Sequence, residues 1–201
     1  MLLSSWKNRR CEIPALYPVI LKVPQNIRLL GGKERAAALS SFSRKSVWIS
    51  GEKAGLAPCR LETGEKGEPL CSNGVYWSVS HKPDYVAGVV SGTPAGIDVE
   101  KIKPVSGPLF DRILSVSEKK MFPADSPERI FFRGFTAKEA VLKCNGTGLA
   151  GLGRVKVTGV DGSCSMRLEY NGREFRVENM YFDCHIASVV KGADPVDWQL
   201  E

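Results

Sequence analysis

The sequence predicts an α+β fold in which two halves each pair antiparallel strands with a long helix. Three observations carry this reading. Strand-like runs separated by turn residues fill 75–100, a long helical pattern fills 126–145, and strand-like runs return between 154 and 190. The seam falls near residues 103–108, so we expect a half at 1–105 and a half at 106–201, working as one integrated unit. A chain of 201 residues is long enough for that arrangement.

Taken in order, Met1–Lys22 has scattered polar residues and no continuous apolar stretch, so no secretory signal is expected there. Lys33–Phe42 follows Gly31-Gly32 and is rich in helix formers, and Val47–Leu56 continues it after an interruption. Gly, Pro and Glu dominate Thr63–Gly74, which reads as loop. Val75–Ser80, Tyr85–Val90 and Ala95–Glu100 then read as a three-stranded antiparallel meander, with turns at 81–84 and 92–94. Ser115-x-x-Glu118 is a capping box for a short helix ending near Pro123. Ser126 caps a long helix with Pro127 at its first position, and Gly146 supplies a left-handed stop after Asn145. Phe132, Phe135, Glu139, Leu142 and Lys143 fall on roughly one face of it. Strands are expected at Arg154–Val160, Ser165–Tyr170, Glu174–Val177 and Tyr181–Val190, turning at Asp161-Gly162 and Asn171-Gly172.

Composition excludes several classes. Hydrophobic residues make up 43% and charged residues 25%, so disorder, collagen and coiled coil do not describe the chain. No stretch approaches the ~18 apolar residues that cross a bilayer. A soluble, cytoplasmic protein is expected. Cys11, Cys59, Cys71, Cys144, Cys164 and Cys184 form no C-x-x-C pair and no cluster with His. They read as reduced thiols filling the core, without a zinc site or a disulfide framework. The net charge of +6 is uneven: 1–105 carries 15 basic against 9 acidic residues, and 106–201 carries 13 of each. A basic first half suits an anionic partner.

Three groups of residues bear on chemistry. In the strand triplet Asp98-Val99-Glu100 both carboxylates project to one face while Ile97 and Val99 go to the other. Two such charges are tolerated in open solvent or around a cation. In the long helix, Glu139 and Lys143 stand four apart, the spacing of an ordinary surface ion pair. Their neighbours Phe131, Phe132, Phe135, Val141 and Leu142 are apolar, however, and charges on a buried helix need partners or a function. His81, beside Ser80 at a strand end, suits either a structural hydrogen bond or a phosphate contact.

Four motifs, W-S-V-S-H (77–81), A-G-I-D-V-E-K-I-K-P (95–104), F-T-A-K-E-A-V-L-K (135–143) and G-T-G-L (146–149), resemble those of the 4′-phosphopantetheinyl transferases in letters, order and separation. The resemblance is close over 75–149 and looser over 33–190. The length is similar to that of the surfactin-type group, monomers in which one chain folds as two similar α/β halves about a pseudo-twofold axis. The shorter holo-acyl-carrier-protein synthases build the same site between the subunits of a trimer. Tyr181–Val190 would then echo Val75–Val90.

The resemblance implies an enzyme that moves the phosphopantetheine arm of coenzyme A to a serine of an acyl or peptidyl carrier protein, releasing adenosine 3′,5′-bisphosphate. It implies Mg²⁺ held by Asp98, Glu100 and Glu139, with Glu139 deprotonating the serine and Lys143 meeting the departing diphosphate. Ser80, His81, Lys138 and Arg44 would contact coenzyme A, whose phosphates then account for the basic first half. Apolar residues near Ile113–Met121 and the 148–153 loop would add contact with the carrier. No nucleic acid or membrane partner is implied. The chain departs from the pattern at Glu68, where a Lys is usual, at Lys82, where a small hydroxyl residue is common, and at Phe135, where many relatives have Trp. Lys66 lies two residues before Glu68 and is a candidate substitute. Two other readings use the same residues: a metal-dependent phosphodiesterase or nuclease, and an inactive binder of coenzyme A or carrier protein with Glu68 as its lesion.

Overall fold

The computed structural model describes residues 15–56, 60–65 and 67–201. In chain order the elements are β1 (Val19–Lys22), α1 (Gln25–Arg28), α2 (Gly32–Ala54), β2 (Tyr76–His81), β3 (Tyr85–Ser91) and β4 (Ile97–Lys101). Then come α3 (Gly107–Ile113), α4 (Val116–Lys119), α5 (Pro127–Asn145), a 3₁₀ turn (Leu149–Arg154), β5 (Lys156–Asp161), β6 (Ser165–Tyr170), β7 (Arg173–Phe182), β8 (His185–Lys191) and β9 (Gln199–Leu200). The result is the expected α+β class, with one long helix against each sheet.

Helix α2 runs unbroken through the serine-rich stretch expected to interrupt it. Ser43 and Ser46 donate back to carbonyls three residues earlier, and these buried small side chains face the sheet. They let α2 approach closely: a Cβ on Gly88 of β3 would run into Ser46. Helix α5 begins with Ser126 accepting from the Arg129 amide and ends at Gly146 in the left-handed region, φ 65°. The Ser115–Glu118 capping box is present at α4.

The three-stranded meander does not form. Strands β2 and β3 pair as expected, but the free edge of β3 is taken by β1, giving a sheet ordered β2-β3-β1-β9. Strand β4 crosses to the other sheet, ordered β4-β8-β7-β6-β5, where Asp98 stands opposite Ser188 and Glu100 opposite Ile186. Strand β9 in return pairs parallel with β1. Each sheet is therefore completed by a strand from the far side of the seam. The expected break between 174–177 and 181–190 also moves: β7 runs to Phe182, and the chain reverses at Asp183 and Cys184, both at positive φ.

Ile20, Ala87 and Val89 of the first sheet pack on Ile97, Val99, Ala187 and Val189 of the second. The opposite face of the second sheet holds α5, through Phe131, Val141, Leu142, Met166, Leu168, Val177 and Ile186. A buried polar chain adds direction to this packing. Arg133 donates to Asn179 (3.1 Å), Asn179 donates to Ser188 (2.7 Å), and the Ser188 and Thr136 hydroxyls hydrogen-bond to each other. It fixes the rotation of α5 over the sheet, because each polar atom is satisfied in only one setting.

Of the four described cysteines only Cys144 packs against the core. Cys71, Cys164 and Cys184 are exposed in loops and turns and Cys144 is half-buried, all four as free thiols, while Cys11 and Cys59 lie outside the described residues. No described helix is long and apolar enough to cross a membrane.

Candidate active site

Strand β4 lies between β2 and α5, and both neighbours reach it with side chains. Ser78 and Ser80 alternate onto one side of β2. Ser78 Oγ accepts from the Ile97 amide (3.2 Å), and Ser80 Oγ donates to Asp98 Oδ1 (2.7 Å). On the α5 side, a Cβ on Gly96 would collide with the Ala140 carbonyl, so only glycine lets strand and helix meet there.

That close approach puts Lys143 against Asp98. Its ammonium donates to Asp98 Oδ1 (2.8 Å) and to the carbonyls of Ile97 (3.1 Å) and Val79 (3.2 Å). The helical pair Glu139–Lys143 is thus replaced by a pair between helix and strand. Among the described residues Glu139 makes no ion pair or hydrogen bond. Burial, then the nearby charges of Asp98 and Glu100, push its carboxyl up to about 7 against the opposing pull of Lys143 and Lys82. Glu100 is also raised, mainly by burial, and its ion pair with Lys82 (2.7 Å) works the other way. Burial, Lys143 and Lys82 together lower His81, which favours the neutral ring.

These groups line one cleft of about 450 Å³, with Ser80, His81 and Lys82 on one side, Asp98 and Glu100 on the floor, and Phe135, Glu139 and Lys143 opposite. Leu149 also lines it. A second hollow of about 200 Å³ adjoins it through Lys143 and is lined by Glu68 and Trp77.

Two expected site residues are not brought here. Lys138 is buried on another face of α5, paired with Glu118 (2.7 Å) and bonded to the Ile113 carbonyl (2.8 Å). A step of one residue turns a helix by about 100°, so Lys138 and Glu139 cannot share a face. Arg44 sits one turn beyond Ser40 on α2, donates to the Leu61 carbonyl (2.7 Å) and lies over the Trp77 ring. Lys66 lies outside the described residues. Sequence reasoning missed the grip of Ser78 and Ser80 on β4, although serines two apart on a strand were the available signal. Lys82, on the sequence alone a phosphate contact or a solvated turn residue, pairs with Glu100.

Comparison with known proteins falls on this region. Residues 94–187, from the turn before β4 into β8, match the family described as the 4′-phosphopantetheinyl transferase superfamily. The matched segment is just under half of the chain. It carries Asp98, Glu100, Glu139 and Lys143 together. The chain is 34% identical over 95 residues to 4′-phosphopantetheinyl transferase psf-1 of Bacillus pumilus. It is 31% identical over 97 residues to HetI of Nostoc sp. and 30% over 96 residues to Sfp of Bacillus subtilis, each named a 4′-phosphopantetheinyl transferase. Each alignment covers 45% of this chain, and the chain spans only 41–43% of the length of these relatives.

The matched segment raises the question of a metal. Asp98 Oδ2 is buried with no hydrogen-bond partner, and the Glu139 carboxyl is crowded by two other carboxylates. A hard cation with oxygen ligands relieves both. Among the described residues no three acidic, His or Cys side chains stand pre-assembled around a metal position. Lys143 and Lys82 hold Asp98 and Glu100 instead. The donor set fits a hard divalent ion that displaces ammonium groups.

Proposed function

We propose that this chain transfers the 4′-phosphopantetheine group of coenzyme A to a serine of an apo acyl or peptidyl carrier protein and releases adenosine 3′,5′-bisphosphate. The observation that carries the reading is the meeting of Asp98, Glu100, Glu139 and Lys143 in one cleft, within the superfamily segment. Asp98, Glu100 and Glu139 would hold Mg²⁺, which supplies Lewis-acid polarisation of the pyrophosphate and charge neutralisation.

The remaining steps use the protein's own groups. Glu139, which lines the cleft opposite the β4 carboxylates, takes the proton of the serine hydroxyl. The serine oxygen forms a bond to the phosphorus that bears pantetheine, and the bond from that phosphorus to the bridging oxygen breaks. Lys143 stabilises the negative charge left on the nucleotide phosphate. Ser80 keeps Asp98 oriented, and His81 donates to a coenzyme phosphate. In this reading the halves 1–105 and 106–201 act as one monomeric catalytic unit in the cytoplasm.

Intact mass spectrometry of an apo carrier protein, incubated with this protein, coenzyme A and Mg²⁺, tests the proposal. A gain of one phosphopantetheine group, abolished by EDTA and by Glu139→Ala, is expected. Coenzyme A binding without transfer to any carrier type would favour an inactive binder. Hydrolysis of coenzyme A or nucleic acid without transfer would favour a phosphodiesterase.

A further inference from the structure

Lys82 lies on the rim of the cleft in a position fixed by its backbone. Its amide donates to the Tyr85 carbonyl (2.8 Å), and the turn that carries it is anchored to β4 by Asp84, which pairs with Lys101 (2.8 Å). Only the flexible side chain is free to choose a partner. It places its ammonium 2.7 Å from Glu100, with Asp98 and Glu139 also facing it, and the two paired side chains keep 33% and 15% of their exposure. The ammonium and a divalent cation therefore compete for one carboxylate.

The side chain has a second destination in reach. Lys82, His81 and Lys143 line the same cleft, so an ammonium that leaves Glu100 meets whatever anion enters. A long, rotatable stem with a point charge suits such an exchange better than a planar guanidinium would. We propose that Lys82 is a built-in counter-cation: it neutralises Glu100 in the empty site, yields that carboxylate to the divalent ion, and moves onto a phosphate of the incoming coenzyme. This deepens the transferase reading and rests on it. Because the two exchanges are linked, cation and coenzyme each strengthen the binding of the other through Lys82.

The test is a binding measurement without turnover. Mn²⁺ affinity is measured by electron paramagnetic resonance for the wild-type chain, Lys82→Ser and Lys82→Gln, each with and without coenzyme A. Lys103→Ser is the control, since Lys103 adds positive charge near Glu100 without pairing with it. Both Lys82 variants should bind Mn²⁺ alone about tenfold more tightly, with Lys103→Ser changing by less than about twofold. The factor by which coenzyme A tightens Mn²⁺ binding should be smaller in the Lys82 variants than in the wild type. Unchanged Mn²⁺ affinity in those variants, or an equal gain in Lys103→Ser, overturns the counter-cation while leaving the transferase reading intact. Failure of every protein, wild type included, to bind Mn²⁺ overturns the carboxylate site and the reading built on it.

Discussion

Lys143 and Ser80 share a single oxygen of Asp98, at 2.8 and 2.7 Å, and leave the other carboxylate oxygen buried and unbonded. One side of the carboxylate is thus fixed by a helix and a neighbouring strand, and the other remains available to a ligand. An acid 3% exposed tolerates this only because the bonded side is charge-compensated.

Removing the compensation should be costly. Lys143→Met is expected to lower unfolding free energy by about 3 kcal/mol, since a buried carboxylate loses its partner. Urea denaturation measures the loss. Carrier modification should fall by at least about a hundredfold, and Ser80→Ala, which removes only a hydrogen bond to a charged group, by about tenfold. Equal, small effects of both would separate Lys143 from the chemistry.

Lys138 is expected to behave differently from Glu139 despite standing beside it. Lys138→Met leaves Glu118 buried and unpaired, so stability should drop by about 3 kcal/mol. Coenzyme A affinity of the folded variant should stay within about twofold. Isothermal titration below the unfolding temperature distinguishes this from a phosphate contact, which would weaken binding with little change in stability.

Glu118 also sets an acid limit. Burial disfavours its charge, but Lys138 and the amides of Val157 and Ser115 outweigh that and hold its carboxyl below the usual value of 4.5. A carboxylate depressed in the folded state contributes its full stability above the unfolded pKa. The contribution should disappear as pH falls below 4.5 through the lower folded value. Denaturation midpoints measured across the acid range should show this loss in the wild type and not in Glu118→Gln.

Gly96→Ala should act at a distance from every reacting atom. The added methyl meets the Ala140 carbonyl and must push β4 away from α5. Overpacking costs about 1–3 kcal/mol. Because the same shift separates Lys143 from Asp98, transfer should fall by more than about tenfold even at temperatures where the variant is folded. Activity assays beside circular dichroism check this.

What the sequence makes legible here is mostly local. The caps of α5 at Ser126 and Gly146 are written in their own residues, and Asp98 and Glu100 share a face because strand geometry requires it. The partner of β4 is not legible, because it depends on β1 occupying the edge of β3, and Val19–Lys22 is too short a run to announce a strand. The direction of Lys138 depends on the rotation of α5, which is set by Arg133, Asn179, Ser188 and Thr136, residues far apart in the chain. Reading α2 as broken at its serines reflects propensity, which close packing on Gly88 overrides. The exposed cysteines show that residue type alone is a poor guide to burial in loops.

The crossing of β4 into the second sheet has a consequence for biosynthesis. A nascent chain releases Asp98 and Glu100 from the ribosome long before β8, the strand that pairs with them. Until His185–Lys191 follows, β4 lacks the strand it pairs with. The first half therefore cannot complete its sheet alone, and β4 is fixed only after β8 has followed. Folding of this chain should be governed by that late, long-range pairing, and slow for its size.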